Sequence, residues 1–237
     1  MTALDQLLEV QRHDTRADQI RHRRANLPER ATLAEREAER ARAERELSTT
    51  SARRDELQAE QDRIEGEVAK AKERIAVVDG KLYGGATSNP RELQALQDEV
   101  ASLGRRVNLL EDSELEVMEQ LEPVEAASVN QQAAIERLGA DIERLGMELT
   151  AAEAELDVDL ADVESHRAEA SGAVPSELLE EYEVIRARSG GIGAAPLSGG
   201  QCGGCHIKLS AMELDRIKKL PTDAVVHCDE CGRLLVH

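Results

Sequence analysis

The most constraining feature of this sequence is a run of mainly apolar residues that recur in alternating steps of four and three. On the first arm it comprises Leu57, Gln61, Ile64, Val68, Ala71, Ile75, Val78 and Leu82. It resumes at Leu93, Leu96, Val100, Leu103, Val107, Leu110, Glu114, Val117 and Leu121, and again at Ile135, Leu138, Ile142, Leu145, Leu149, Ala152 and Leu156. An average step of about 3.5 residues is the seam of a coiled coil, so the pattern predicts long paired helices.

The stretch between the two arms carries signals that end one helix and begin another. Gly84 and Gly85 suit the left-handed conformation that closes a helix C-terminus. Asn89 is a good N-cap, and Pro90 suits the first helical position after it. We therefore expect the chain to reverse direction at a tip near residues 83–90.

This reversal predicts an antiparallel coiled-coil hairpin over residues 1–172. Seam residues whose numbers sum to about 175, such as Ile64 and Leu110, are then expected to face each other. Pro28 and Pro123 are expected to bend their helices, since proline lacks the amide hydrogen of a helical bond. The predicted fold class is mainly α: a long kinked antiparallel coiled-coil hairpin with a small C-terminal zinc ribbon of short β-strands plus a helical insertion.

Farther from the tip, the same seam would place Arg36 and Arg40 on the buried stripe. Charged side chains are costly there, so small residues are expected to form the seam instead. These are Ala31, Ala34, Ala38 and Ala41. This change of seam residues implies that the pairing register between the two arms slips near Pro123.

Composition and charge restrict the possible partners. The chain has no Phe or Trp and 33% charged residues, which excludes a thick aromatic core. Residues 83–197 hold 8 Lys+Arg and 25 Asp+Glu, a net charge of −17, against −18 for the whole chain. This segment repels phosphate backbones, so any nucleic-acid contact is expected at the neutral ends of the chain.

The N-terminal sequence MTALDQLLEVQRHD lacks the layout of a signal peptide, and no apolar run approaches the roughly 20 residues of a membrane span. The protein is therefore predicted to be cytoplasmic, with no membrane partner. A short helix SELLEEYEVIRAR follows Pro175, and residues 173–190 are predicted to connect the hairpin to a C-terminal module. Its apolar face favours docking on the hairpin base, and the alternative is a solvated linker.

The cysteines form two CxxC pairs separated by 22 residues, close to the spacing of structural zinc sites. The predicted ligands are Cys202, Cys205, Cys228 and Cys231, which would close a tetrahedron around one structural Zn²⁺ with no open position. Residues 191–237 are thus predicted to be a C4 zinc ribbon. Disulfide formation and redox chemistry are the alternatives. His206 and His227 neighbour the ligands and are expected to lie outside the tetrahedron.

Between the two pairs, SAMELDRIKKL predicts a helix with Met212, Ile217 and Leu220 inward, and IGAAPL, AVVHC and RLLVH predict short strands. The ribbon also holds the basic residues of this end of the chain, either as a solvated face or as a phosphate contact. They are Lys208, Arg216, Lys218, Lys219 and Arg233.

The segment LSGGQ matches the signature loop of ABC-type ATPases. That loop acts on a nucleotide held by a Walker A motif, and the sequence contains no GxxxxGK[ST]. Ser198, Gly199 and Gly200 are therefore expected to form a tight turn into the first CxxC. No nucleophile–base pair or open metal site is evident either. The chain is predicted not to be an enzyme, with no catalytic residue and no small-molecule substrate.

The tip YGGATSNPRELQAL, the hairpin and the segment QCGGCHIKLSAMELDRIKKLPTDAVVHCDECGRLL together resemble the bacterial proteins that join a coiled-coil hairpin to a C4-type zinc ribbon. The resemblance spans nearly the whole chain. It implies a non-enzymatic adaptor, because some members are linked to flagellar or type III secretion and to an alternative sigma factor as chaperone-like binders. RNA or DNA binding is ascribed to others.

Two functions remain open from the sequence. The first is a protein-binding scaffold, in which Tyr83 at the tip acts as an anchor or else packs under the turn. The second is nucleic-acid binding through the basic residues of the ribbon, which lack an aromatic platform for base stacking. The sequence leaves the choice between monomer and dimer open.

Overall fold

The computed structural model describes residues 2–85 and 88–237, so Met1 and, within the predicted tip, Ala86 and Thr87 lie outside the described residues. The helices are α1 (Ala3–Ala25), α2 (Pro28–Tyr83), α3 (Pro90–Ser171), α4 (Ser176–Arg188) and α5 (Ala211–Ile217). Contacts group the chain into two compact units. One is Leu33–Arg144, here called the arm unit. The other combines the chain up to Thr32 with Leu145–His237, here called the base unit.

In the arm unit α2 and α3 run antiparallel along the predicted seam. Ile64, Val68, Ala71 and Val107 form a buried cluster, against which Ile75, Leu110 and Val117 pack. Ion pairs of Arg74 with Glu99 (2.7 Å) and of Arg106 with Glu67 (3.1 Å) flank the seam. The predicted hairpin is confirmed here because each helix buries one narrow apolar stripe and keeps its other faces in water.

The predicted alanine seam is wrong at three of its four positions. Ala31, Ala34 and Ala38 are exposed, whereas Ala41 is half-buried. Of the two arginines on the original seam, Arg36 is half-buried and Arg40 is exposed. Both guanidinium groups pair along α2, that of Arg36 with Glu39 and that of Arg40 with Glu44.

The predicted helix-end signals act as expected except at Gly84, which does not have a positive φ. Helix α2 ends at Tyr83, and Gly85 has a φ of 74°, which suits glycine. The Asn89 side chain accepts a hydrogen bond from the Arg91 amide (3.1 Å), and α3 begins at Pro90.

The two internal prolines have different surroundings. Pro28 begins α2 after a break at Asn26 and Leu27, so the first arm consists of two helices, α1 and α2. Pro123 lies inside α3, which continues through it as helix. No helix within the described ranges is long and apolar enough to cross a bilayer.

The core of the base unit joins α1, α4 and two strands of the ribbon. Leu4, Leu7 and Val10 of α1 contact Tyr182 and Ile185 of α4 in one cluster. Ala194, Leu234 and Val236 complete it. Helix α4 coincides with the predicted segment and buries its apolar face, so the docking interpretation is confirmed and the solvated-linker alternative is wrong.

The ribbon contains β1 (Ala194–Ser198), β2 (Gln201–Cys202), β3 (Val226–His227) and β4 (Leu234–Val236), in the order β2-β1-β4-β3. Strands β1 and β4 are parallel and the other pairs are antiparallel. Between β1 and β2, Gly199 and Gly200 have φ values of 60° and 76°, typical of a two-residue hairpin turn. The LSGGQ segment is therefore the tight turn that was predicted.

The helical insertion α5 is present, but its inward face differs from the prediction. The Ser210 side chain caps α5 by accepting from the Glu213 amide (3.1 Å), and Ile217 is buried as expected. Met212 is 85% exposed and Leu220 is exposed too. Leu214 packs against the same cluster as Ile217 and takes the inward position instead, and Leu220 lies beyond the end of α5.

Candidate metal centre

The two CxxC segments meet at the end of the ribbon. Cys202 ends β2, Cys228 follows β3, and the turns after them bring Cys205 and Cys231 to the same point. All four Sγ atoms lie within 4.8 Å of one another. The cysteine side chains are unpaired thiols, with Cys202 and Cys228 buried and the other two partly exposed.

The sulfur distances test whether this cluster suits a metal. Cys202 Sγ lies 3.9 Å from Cys231 Sγ, and Cys205 Sγ lies 3.9 Å from Cys228 Sγ. A tetrahedral zinc ion with Zn–S bonds of about 2.3 Å separates its sulfurs by about 3.8 Å. A disulfide would need about 2.05 Å. The cluster therefore fits one structural zinc ion, which four thiolates would hold with no open position, and excludes the disulfide alternative for this conformation.

Backbone geometry shapes both turns in the same way. The His206 amide donates to the Cys202 carbonyl (2.9 Å), and the Gly232 amide donates to the Cys228 carbonyl (2.7 Å). Both residues have positive φ, 60° for His206 and 69° for Gly232. His206 thus occupies a backbone position for which its counterpart uses glycine, and its side chain is exposed.

The thiols differ in acidity before any metal binds. Burial raises the pKa of Cys228 to about 12. Burial also acts to raise the pKa of Cys231, but hydrogen bonds from the backbone and side chain of Arg233 outweigh it and lower the value to about 7. Since zinc binds thiolates, metal binding here must release protons, and Cys231 gives up its proton more easily than Cys228.

The basic residues predicted as a patch separate into two groups. Lys208, Arg216, Lys218 and Lys219 are exposed, and Lys219 pairs with Asp215 (2.7 Å). Arg233 instead points into the ribbon, where its Nε donates to the Ile192 carbonyl (2.9 Å) and its Nη2 to the Ser189 carbonyl (2.7 Å). Arg233 therefore fastens the chain before β1.

The predicted anchor at the tip is fully presented to solvent. Tyr83 is the last residue of α2, and 82% of it is exposed. The alternative, packing under the turn, is wrong because a packed ring would lose most of that exposure. The second tyrosine, Tyr182, is completely buried in the base unit.

Sequence reasoning missed a set of polar residues on α1 that hold the base unit together. The Gln11 side chain accepts from the Gly193 amide (2.7 Å) and donates to the Gly191 carbonyl (2.9 Å), which positions the start of β1. Asp14, only 5% exposed, accepts from the Tyr182 hydroxyl (2.7 Å) and Arg167 Nε (2.7 Å). The available signal was that both polar residues lie on the apolar face of α1.

Burial raises the pKa of Tyr182, and the hydrogen bond that its hydroxyl donates to Asp14 raises it further. Arg167 also contacts Glu183, and Arg186 pairs with Asp18. The carboxylates of α1 are thereby joined to the basic residues of α3 and α4.

The comparisons with known proteins agree with both parts of this architecture. Residues 10–190 match the CT398-like coiled-coil hairpin domain, and residues 201–235 match the C4-type zinc ribbon domain. The chain is 34% identical to the Mycobacterium tuberculosis protein MT2288 over 97% of its length and 93% of that protein. It is 28% identical to the Mycobacterium leprae protein ML1638 over 93% of its length and 94% of that protein.

Solved structures show the same fold. A Mycobacterium smegmatis protein superposes with a TM-score of 0.88 and 30% identity, over 100% of this chain and 99% of the other. CT398 from Chlamydia trachomatis superposes with a TM-score of 0.70 and 18% identity, over 98% and 96% of the two chains. With a hairpin and a four-cysteine ribbon in the same order, this chain belongs to the family of CT398-like coiled-coil hairpin proteins with a C4-type zinc ribbon.

Proposed function

We propose that the protein is a non-enzymatic, cytoplasmic scaffold that binds protein partners through its hairpin and ribbon. The single observation that carries this proposal is the exposure of Tyr83, 82% of which faces solvent at the end of α2. Tyrosine combines a large apolar ring with a hydroxyl and is enriched among the residues that anchor protein interfaces. Its position at the end of α2, beside Gly84 and Gly85, which have no side chains, favours contact with a partner.

In this proposal the zinc ion has a structural role. Its ligands are Cys202, Cys205, Cys228 and Cys231, and it stabilises the ribbon. The proposal also divides the chain into a hairpin (1–172), a connecting helix (173–190) and a ribbon (191–237).

The test places a photo-crosslinking benzoylphenylalanine at position 83 in living bacterial cells. We expect a discrete protein adduct from this position. The same crosslinker at Val158, an exposed apolar residue of α3 in the base unit, is the control and should give none. Failure of position 83 to crosslink to protein, or equal adducts from both positions, would contradict the anchor role.

A second candidate function is nucleic-acid binding by the ribbon. It is favoured by Lys208, Arg216 and Lys218, which are exposed and form no ion pair within the described part of the chain. Fluorescence anisotropy of labelled single-stranded RNA and duplex DNA at two salt concentrations tests it. Binding that weakens with salt and disappears when Lys208, Arg216, Lys218 and Lys219 are neutralised would favour this function over the scaffold.

A further inference from the structure

A shallow groove of about 430 Å³ lies in the arm unit beside the coiled-coil seam. Leu115 and Met118 form its apolar floor and remain 58% and 45% exposed, with the buried Leu121 next to them. Gln61 of α2 closes one side, and glutamates of α3 form the other. The groove thus leaves adjacent apolar side chains in water, unlike the isolated exposed residues that are common on protein surfaces.

A second periodic stripe of α3, part apolar and part acidic, runs through the groove. Leu115, Met118, Glu122, Glu125 and Val129 recur in steps of three and four, and Val129 is also exposed. This spacing places them on one face of α3 over about 21 Å. The first three each follow a seam position by one residue, so a helix laid along the stripe would pack beside the existing pair as in a three-stranded coiled coil.

The charges of the groove define the chemistry of its occupant. Glu119, Glu122 and Glu125 line it, and their carboxylates have no hydrogen bond or ion pair to any described residue. Some other glutamates of the hairpin are neutralised within it, as Glu111 is by Lys72. Three unpaired carboxylates with no basic residue among the groove lining favour a partner that carries Lys or Arg.

Pro123 lies inside α3, next to the groove-lining Glu122. It has no amide hydrogen, so the helical bond to the Glu119 carbonyl is lost there. The groove itself offers an apolar floor and an acidic wall together.

We propose that this groove binds a basic amphipathic helix of a partner protein. Leucine-like side chains of that helix lie on Leu115 and Met118, and its Lys or Arg residues face Glu119, Glu122 and Glu125. The inference rests on the proposed function of the chain as a protein-binding scaffold. Docking of one stripe on the same stripe of a second copy is disfavoured, because it would bring glutamates against glutamates.

The test uses a labelled synthetic helix of three heptads with Leu at the a and d positions and Lys at the e and g positions. Its binding to the full-length, zinc-loaded protein is followed by anisotropy near physiological salt. The double substitution Leu115→Ser and Met118→Ser is expected to weaken binding about tenfold. Met147→Ser with Val158→Ser alters exposed apolar residues of α3 outside the groove and is expected to leave binding unchanged.

A second pair of variants separates the groove from the general acidity of the chain. Glu119→Gln, Glu122→Gln and Glu125→Gln are expected to weaken binding, again by about tenfold. Glu143→Gln, Asp159→Asn and Glu169→Gln remove the same charge from exposed sites elsewhere on α3. An equal loss in both sets, or no loss in the groove set, would overturn the proposal because the peptide would then be held by net charge alone.

Two further outcomes have distinct meanings. If the protein alone dimerises in sedimentation experiments and Leu115→Ser with Met118→Ser makes it monomeric, the groove is a self-interface and the proposal is wrong. If crosslinking from position 83 succeeds but the groove substitutions do not weaken peptide binding, the groove inference fails and the scaffold function stands. Loss of protein crosslinking from position 83 instead contradicts the scaffold function itself.

Discussion

Gly193 shows how closely two parts of the base unit approach each other. A Cβ at this position would lie 2.7 Å from both the Tyr182 carbonyl oxygen and its ring. Gly193→Ala is therefore expected to lower the free energy of unfolding by about 1–3 kcal/mol. Gly66→Ala, in α2 with nothing within 4 Å, should raise it by up to about 1 kcal/mol because alanine favours helix. Urea unfolding followed by circular dichroism measures both, and a neutral Gly193→Ala would contradict the close approach.

Asp14 is expected to contribute more to stability than any exposed carboxylate. Asp14→Ala would leave the buried Tyr182 hydroxyl without its acceptor and Arg167 with Glu183 alone, at a cost of about 3 kcal/mol. Asp55→Ala removes an exposed partner of Arg54 and should change stability by less than about 0.5 kcal/mol. Thermal unfolding of both variants checks this contrast, and similar melting temperatures would contradict it.

Tyr182 also predicts a dependence of stability on alkaline pH. Its pKa in the folded state is raised above the ordinary value of 10.0, chiefly by burial. The neutral phenol thus contributes stability that is fully present below pH 10 and is lost as the pH rises above that value. Tyr182→Phe should flatten the decline of unfolding free energy above pH 10, and the exposed Tyr83→Phe should not. Equal slopes in wild type and Tyr182→Phe would contradict this assignment.

The four cysteines could be predicted from sequence because each CxxC is a local motif, and the only distant fact required is that the two pairs meet. Gln11 and Asp14 could not, because their partners lie in α3, α4 and the segment before β1. Their place on the apolar face of α1 indicates burial. The partners that give them their role depend on tertiary contacts that no local pattern encodes.

At the scale of helices, the buried seam supplies most of what holds the arm unit together. Leu57→Ala removes a side chain that is 5% exposed and is expected to cost about 2–4 kcal/mol. Leu109→Ala makes the same chemical change at an exposed site. It should change the free energy of unfolding by less than about 0.5 kcal/mol. Hydrogen exchange across α2 and α3 reports the difference, and equal effects would argue against a single buried stripe.

The seam between Leu57 and Leu121 was predictable because apolar spacing alone determines it. The stretch around Arg36 was not, because a hydrophobicity argument treats arginine as excluded from a seam. The structure half-buries Arg36 and pairs its guanidinium with Glu39. The seam prediction failed at Arg36 because an arginine side chain is apolar along its length and charged only at its end.

At the scale of the whole molecule, removal of zinc is expected to affect the ribbon selectively. Cys202 and Cys228 are buried members of the ribbon cluster with Ala195, Ile217 and Leu235, so this core is small without its metal. After chelation, hydrogen exchange should show loss of protection from β1 onward and retention along α2. Cys228→Ser should reproduce this effect and His227→Ala should not. Persistent protection of the ribbon without metal would contradict the structural role of zinc.

The cluster that joins Leu4 and Leu7 to Leu234 and Val236 has a consequence for how the protein is made. A ribosome releases α1 first and β4 only after both long helices and the cysteine segments have been translated. During that interval the apolar face of α1 has no strand to cover it, whereas the seam of α2 and α3 can already close. The newly made chain is therefore exposed to aggregation or proteolysis at α1 until β4 packs against it.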